Sequence, residues 1–169
     1  SPKNFIIGYR ISPEEINPDN VGYTWHESTE LINKLTNKFD FDYIHLSLPD
    51  YQAKPKDSAK TFAELFRPVI GEDTKLIIVG DIMSQADAED ALNYTDLVAA
   101  GRAQLIDANF AAKVVAGKGN EVITEMSEAE EKEQALTPGL HKVMDMETKR
   151  PDFAKVLREV DYSKALKVK

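Results

Sequence analysis

Four short apolar runs constrain the fold of this 169-residue chain more than any other feature. They are Phe5-Ile6-Ile7-Gly8-Tyr9, Tyr43-Ile44-His45-Leu46-Ser47-Leu48, Lys75-Leu76-Ile77-Ile78-Val79-Gly80 and Asp96-Leu97-Val98-Ala99-Ala100-Gly101. Their length and their branched or aromatic content favour strands, and near-continuous apolar character is expected of strands buried on both faces. A helical pattern follows each run. After the first, Leu31, Leu35 and Phe39 recur at helical spacing behind Thr24-Trp25-His26-Glu27, which has the form of a capping box. Phe62, Phe66 and Val69 form one stripe after the second run, and Ser84 stands ready to cap a helix carrying Ala88, Ala91 and Leu92 after the third. After the fourth, Asp107 can cap a helix carrying Phe110, Val114 and Val115, stopped near Gly117.

The order is therefore strand then helix, four times over. Parallel strands need crossovers, and alternating units of this kind build either an open doubly wound sheet or a barrel. An eight-stranded barrel takes roughly 250 residues, so four units in about 120 residues correspond to half of one. The chain starts at Ser1, not methionine, and a strand pattern follows almost at once, so it is expected to enter a fold midway. Beyond Ile123 the composition changes. The acidic stretch Glu125 to Glu133 reads as a solvated helix face, and Thr137-Pro138-Gly139 and Arg150-Pro151 break it, with short helices expected after each break. The expected organisation is residues 1–124 as the βα units and residues 125–169 as a helical extension.

Composition narrows the function. With 42% hydrophobic and 30% charged residues the chain belongs among globular proteins, and its net charge of −8, with scattered basic residues, does not favour nucleic acid or anionic lipid as a partner. It has no cysteine. That removes disulfides, thiolate nucleophiles and cysteine-held metals or clusters, and it suits a reducing cytoplasm. No apolar run reaches membrane-spanning length, and no signal peptide is visible.

The candidates for chemistry lie at strand ends. Val79-Gly80 and Ala100-Gly101 each precede a helix start, where glycine lets a backbone approach a ligand and turn amides can hold an anion. Barrels often build their phosphate site from the loops after strands seven and eight. On that precedent these two units are the final pair, and Arg102 adds a charged donor to the same phosphate. On the other reading both glycines are turn residues and Arg102 faces solvent. Arg10 shares a strand face with Ile6 and Gly8, and at the C-terminal end of a strand an arginine points into a barrel mouth. It should meet an anion or another acceptor there, or a neighbouring carboxylate in a structural ion pair.

Other residues carry less. His26, His45 and His141 lack metal-ligand spacing; His45 alternates with Tyr43 and Ser47, facing the barrel mouth or held in the core by a hydrogen bond. Glu14-Glu15 and the Asp87, Glu89, Asp90 group read as helix-start charges, and Trp25 as packing.

In register, "GYRISPEE" at Gly8 to Glu15, "DYIHLS" at Asp42 to Ser47, "LIIVGDIMS" at Leu76 to Ser84 and "DLVAAGRAQLIDANFAAKVVAG" at Asp96 to Gly117 resemble successive segments of the Old Yellow Enzyme family, the NADH:flavin oxidoreductases. The resemblance runs from about Phe5 to Ile123. It implies the C-terminal half of an FMN-binding TIM (βα)8 barrel, strands five to eight, in an enzyme that takes hydride from NADH or NADPH and passes it to an activated alkene, a quinone or a similar acceptor. It also implies roles. Arg10 would stand beside the N1/C2 carbonyl edge of the flavin, while Gly80, the backbone of Asp81, Gly101 and Arg102 would form the FMN phosphate cup. The family's substrate-positioning histidine pair, tyrosine proton donor and flavin-contacting glutamine belong to the other half of the barrel, so no catalytic residue and no metal ligand is assigned here. A half barrel would be inert alone and prone to self-association. The competing reading is a non-redox α/β module that uses Gly80 and Gly101 to hold a phosphate-bearing ligand.

Two positions depart from the family pattern. The family usually has Gly-Gly-Ile after the seventh strand, whereas this chain has Gly80-Asp81-Ile82, which brings a carboxylate near the expected phosphate. The usual Asp-Pro at the last helix start is Asp107-Ala108, a harmless change because alanine is a good helix former. Relatives with a four-cysteine iron–sulfur site are not suitable templates.

Overall fold

The computed structural model describes residues 5–17 and 19–124. The expected extension at 125–169, with His141, lies outside the described residues. Two compact units meet at the Gly101/Arg102 peptide bond.

In the first unit, β1 (Gly8–Ile11) is followed by a hairpin of β2 (Glu15–Asn17) and β3 (Asn20–Tyr23), then α1 (Trp25–Lys38), β4 (Tyr43–Ser47), α2 (Phe62–Phe66), β5 (Lys75–Val79), α3 (Gln85–Ala91) and β6 (Leu97–Ala99). A parallel sheet runs β1-β4-β5-β6, in chain order from one edge to the other. A doubly wound sheet reverses its order at a switch point. No reversal occurs among the described residues, and right-handed crossovers in one direction put every helix on the same face.

Burial agrees with that placement. Ile44, Leu46, Leu76 and Ile78 point to one face and are fully buried, as are Ile32, Ala63, Phe66 and Ala91 of the helices. Each of these isoleucine, leucine and phenylalanine side chains contributes about 1.5–3 kcal/mol on removal from water. On the other face, His45, Ser47, Ile77 and Val79 are half-buried, and Arg10 and Leu97 are exposed. The strands are thus covered on one side, not on both as their apolar runs suggest.

Local chemistry fixes the helix starts. Thr24 and Glu27 form the expected capping box, Thr61 and Glu64 form a second, and the Ser84 hydroxyl accepts from the Asp87 amide. The buried stripe of α1 differs from the expected one, however. Ser28, Thr29 and Ile32 are buried, while Leu31 and Phe39 are exposed. The Ser28 hydroxyl, on the buried side, donates to the Pro13 carbonyl. Two further expectations fail for related reasons. Phe5, Ile6 and Ile7 precede β1 and are exposed, and Glu15 opens a strand of the hairpin, not a helix.

Aspartates stitch the N-terminal ends of the strands together. Asp42 Oδ2 accepts from the Ile7 amide at 2.7 Å, and Asp96 Oδ2 accepts from both the Leu76 amide and Arg67 Nη1 at 2.8 Å. The loop after β4 is tied to the sheet as well: the Tyr51 amide donates to the Gly80 carbonyl, and the Tyr51 hydroxyl and Gln52 Nε2 both donate to Asp90 Oδ2. Burial and the neighbouring Asp90 push the Tyr51 phenol up to about 12.

The second unit opens with α4 (Arg102–Ile106), a helix that the sequence pattern did not suggest, and continues with α5 (Phe110–Val115). Gly117, at φ +69°, ends α5 as expected. The N-cap of α5 is Asn109, not Asp107 as expected, and Asp107 instead ties together residues from 109 to 123. Its buried carboxylate accepts from the Asn109 amide, from Lys113 Nζ at 2.7 Å and from the Ile123 amide at 2.9 Å. Burial pushes this carboxyl up, but the Ile123 amide, the Lys113 ammonium and the Asn109 amide outweigh it and hold it below the ordinary carboxylate value. Because the folded-state value is the lower one, the stabilisation is complete above the unfolded value of about 3.9 and is lost as pH falls through the folded value. We expect Asp107→Ala, which strands the Lys113 charge, to cost about 3 kcal/mol at neutral pH. Urea denaturation and amide exchange at Ile123 measure this, and the difference from the unsubstituted chain should shrink in acid.

Candidate functional site

The helix-free face of the sheet is built in register. Gly8 pairs with Tyr43 and then Lys75; Arg10 pairs with His45, Ile77 and Leu97; Ser47 pairs with Val79 and Ala99, nearest the C-terminal ends. The Tyr43 ring packs over Gly8: a Cβ there would lie 2.1 Å from the ring, which would have to move aside.

Arg10 is exposed, and its Nη2 donates to Ser47 Oγ at 2.7 Å. Its acceptor is thus a neutral hydroxyl, not a carboxylate. His45, opposite Arg10, is not the hydrogen-bonded core histidine that sequence allows, because its Nε2 is buried without a partner. Burial, with the Arg10 charge in second place, pushes the imidazole pKa down and favours the neutral ring.

The two glycines differ. A Cβ on Gly80 would lie 2.7 Å from the Asp50 carbonyl carbon and 2.9 Å from the Tyr51 amide nitrogen, so this glycine makes room for the chain's own loop. Gly101 has open space where its Cβ would be. Asp81 sits at φ +47°, a left-handed conformation that glycine adopts freely and aspartate better than most residues. This explains how the departure from Gly-Gly is accommodated in the backbone. Just beyond it, Asp87 Oδ2 accepts from the Met83 amide at 3.0 Å while Ser84 accepts from the Asp87 amide, so two amides of this turn already have side-chain partners.

Arg10 and the glycines lie at the same end of the sheet but not together. Neighbouring strands are about 4.8 Å apart, which places Gly80 about 10 Å and Gly101 about 14 Å from the Arg10 strand. One small anion does not span that separation, whereas an elongated ligand with a charged tail does. Arg102 opens the second unit. The residue that sequence reasoning missed is Ser47, whose signal was a polar side chain ending an apolar strand on the Arg10 face. Elsewhere on the sheet's C-terminal side, the Trp25 indole and the His26 ring lie tilted with centroids 3.7 Å apart and share the Asp57 carboxylate, so Trp25 does more than pack. Among the described residues no group of acidic or histidine side chains forms a metal site, and no helix is long and apolar enough to cross a membrane.

Known proteins resemble this chain in sequence. A probable NADH-dependent flavin oxidoreductase, YqiG of Bacillus subtilis (strain 168), is 38% identical over 124 residues, covering 71% of this chain. The NADH:acrylate oxidoreductase of Vibrio harveyi is 31% identical over 152 residues and the NADH:fumarate oxidoreductase of Klebsiella pneumoniae (strain 342) is 30% identical over 142, covering 84% and 75% of the chain. Over its matched length the chain is similar to NADH-dependent flavin oxidoreductases of the Old Yellow Enzyme family. The matched part is 32% of the first relative and 14% of each of the others. No protein-family model matches the chain.

The contrast between the glycines is testable. Gly80→Ala should lower stability by about 2 kcal/mol, because backbone atoms, not a flexible side chain, fill the space. Gly101→Ala should stay within about 0.5 kcal/mol of the unsubstituted protein. Denaturant midpoints of the two variants measure the difference.

Proposed function

We propose that this chain supplies strands five to eight of a (βα)8 barrel in an FMN-dependent NAD(P)H oxidoreductase of the Old Yellow Enzyme family. The observation that carries the reading is a guanidinium exposed on the helix-free face of a sequentially ordered parallel sheet, in a chain whose relatives are named flavin oxidoreductases. When bound, FMN supplies hydride chemistry, accepting from a reduced nicotinamide and donating to an alkene, quinone or similar acceptor.

The residues fit such a cofactor unevenly. Arg10 has N–H donors beyond the one given to Ser47, and a cation suits the ring edge where charge gathers on reduction. Gly101 leaves room for a phosphate to approach the main chain. Gly80 and Asp81 serve, on this reading, through main-chain N–H groups alone, since loop backbone fills the space beside Gly80 and the Asp81 carboxylate repels a phosphate. Arg102, next to Gly101 in the chain, adds a donor for the phosphate on the strength of the family resemblance.

The full-length gene product should purify yellow, release FMN on denaturation and bleach with NADH or NADPH; a colourless protein that takes up no FMN favours the non-redox module. Arg10→Ala should slow flavin reduction or loosen FMN, and normal turnover with normal flavin content removes Arg10 from the mechanism. Gly101→Ala, stable on its own account, should weaken FMN alone.

The exposed face and the unpaired outer edges of β1 and β6 among the described residues also support self-association of the 169-residue chain on its own. Light scattering should report a dimer or larger, and a clean monomer counts against the half-barrel geometry.

A further inference from the structure

We propose that Ser47 is a positioning residue for Arg10: its hydroxyl draws the guanidinium away from the level of His45 toward the C-terminal rim of the sheet, where the ring edge of a flavin would meet it. The target of that aim rests on the flavin reading above; the positioning itself rests on geometry. Arg10 is in register with His45, and Ser47 lies two residues further along β4 on the same face, about 6.6 Å nearer the C-terminal ends. Both side chains are within the reach of an arginine, and the guanidinium bonds only the farther one. His45 Nε2 keeps no partner, so it does not accept from Arg10, while Ser47 Oγ does at 2.7 Å. Among the described residues, Ser47 is the one acceptor hydrogen-bonded to the guanidinium. Arg10 is exposed, so without that bond its long side chain samples many rotamers, each of which would have to be given up on meeting a ligand.

Two measurements decide the matter. In the 169-residue chain without flavin, nitrogen NMR of Arg10 should show slowed guanidinium rotation with distinct Nη signals. Ser47→Ala should average those signals, and Ser47→Thr, which keeps the hydroxyl, should restore them. Unchanged Arg10 signals in Ser47→Ala overturn the positioning role. In the full-length gene product, Ser47→Ala should shift the flavin midpoint potential to more negative values and weaken FMN by roughly three- to tenfold, the scale of one such hydrogen bond. Ser47→Thr should return both toward the starting values, and adding Ser47→Ala to Arg10→Ala should change nothing further. Additive effects in the double variant would mean that Ser47 acts independently of Arg10, against the proposal. Failure of the unsubstituted gene product to bind FMN overturns the flavin reading instead, and the NMR contrast still decides the positioning.

Discussion

Parallel pairing in strict chain order is the constraint on which the rest of the first unit depends. A parallel strand cannot be reached by a tight turn, so each step from β1 to β4, β5 and β6 carries a crossover, and steps in one direction with one hand put the crossovers on one side. The two faces of each strand then have different environments. Ile44 and Leu46 are sealed under helices, while Tyr43, His45 and Ser47, one residue out of phase, are left on a face with room for polar chemistry. Arg10 is possible on β1 only because its face is the second one. Turned to the side of the buried Ile44, the same guanidinium would give up hydration that only a paired acceptor could replace.

The ends of the sheet do separate work for the same reason. At the N-terminal ends, Asp42 and Asp96 accept amides of neighbouring strands and hold the register, a purely structural use of charge. At the C-terminal ends Arg10 and Ser47 stand on the sheet face, and polar side chains and backbone of the loops surround them. Gly80 belongs to both kinds of work. Its missing side chain lets the Asp50–Tyr51 backbone cross the end of β5, and the Tyr51 amide bonds its carbonyl. A glycine at a strand end is thus ambiguous in sequence between room for a ligand and room for the chain itself. At Gly80 the nearest atoms are the chain's own, whereas at Gly101 no atom lies within 4 Å of where a Cβ would be.

Much of this was legible in the residues. The number and order of the βα units followed from the runs at Tyr43, Lys75 and Asp96, and the helix starts followed from Thr24 with Glu27 and from Ser84, because caps are local chemistry. What depended on tertiary contact was not. Leu31, Leu35 and Phe39 form as regular a stripe as the one that is buried, and it is tertiary packing that buries Ser28, Thr29 and Ile32 instead. Phe5 to Ile7 look like the heart of a strand, yet pairing with β4 begins at Gly8. The hairpin of β2 and β3 was hidden in a segment whose charges suggest a helix start. At the site, the alternation of Tyr43, His45 and Ser47 was visible, but no spacing rule says which of two polar neighbours an arginine will choose.

Electrostatics set the charge state on this face. A protonated His45 would place a second positive charge beside Arg10 in a partly desolvated setting, and the imidazole avoids this by staying neutral, its pKa pushed down by burial and by Arg10 itself. The serine hydroxyl has no such conflict, since it accepts without ever carrying charge. Beside a flavin, whose reduced ring gathers negative charge, that arrangement leaves the arginine's full charge available. A carboxylate in place of Ser47 would bind Arg10 more tightly and neutralise it. The weaker hydroxyl anchor therefore keeps the guanidinium in place while leaving it cationic, which is the property a ring-edge role requires.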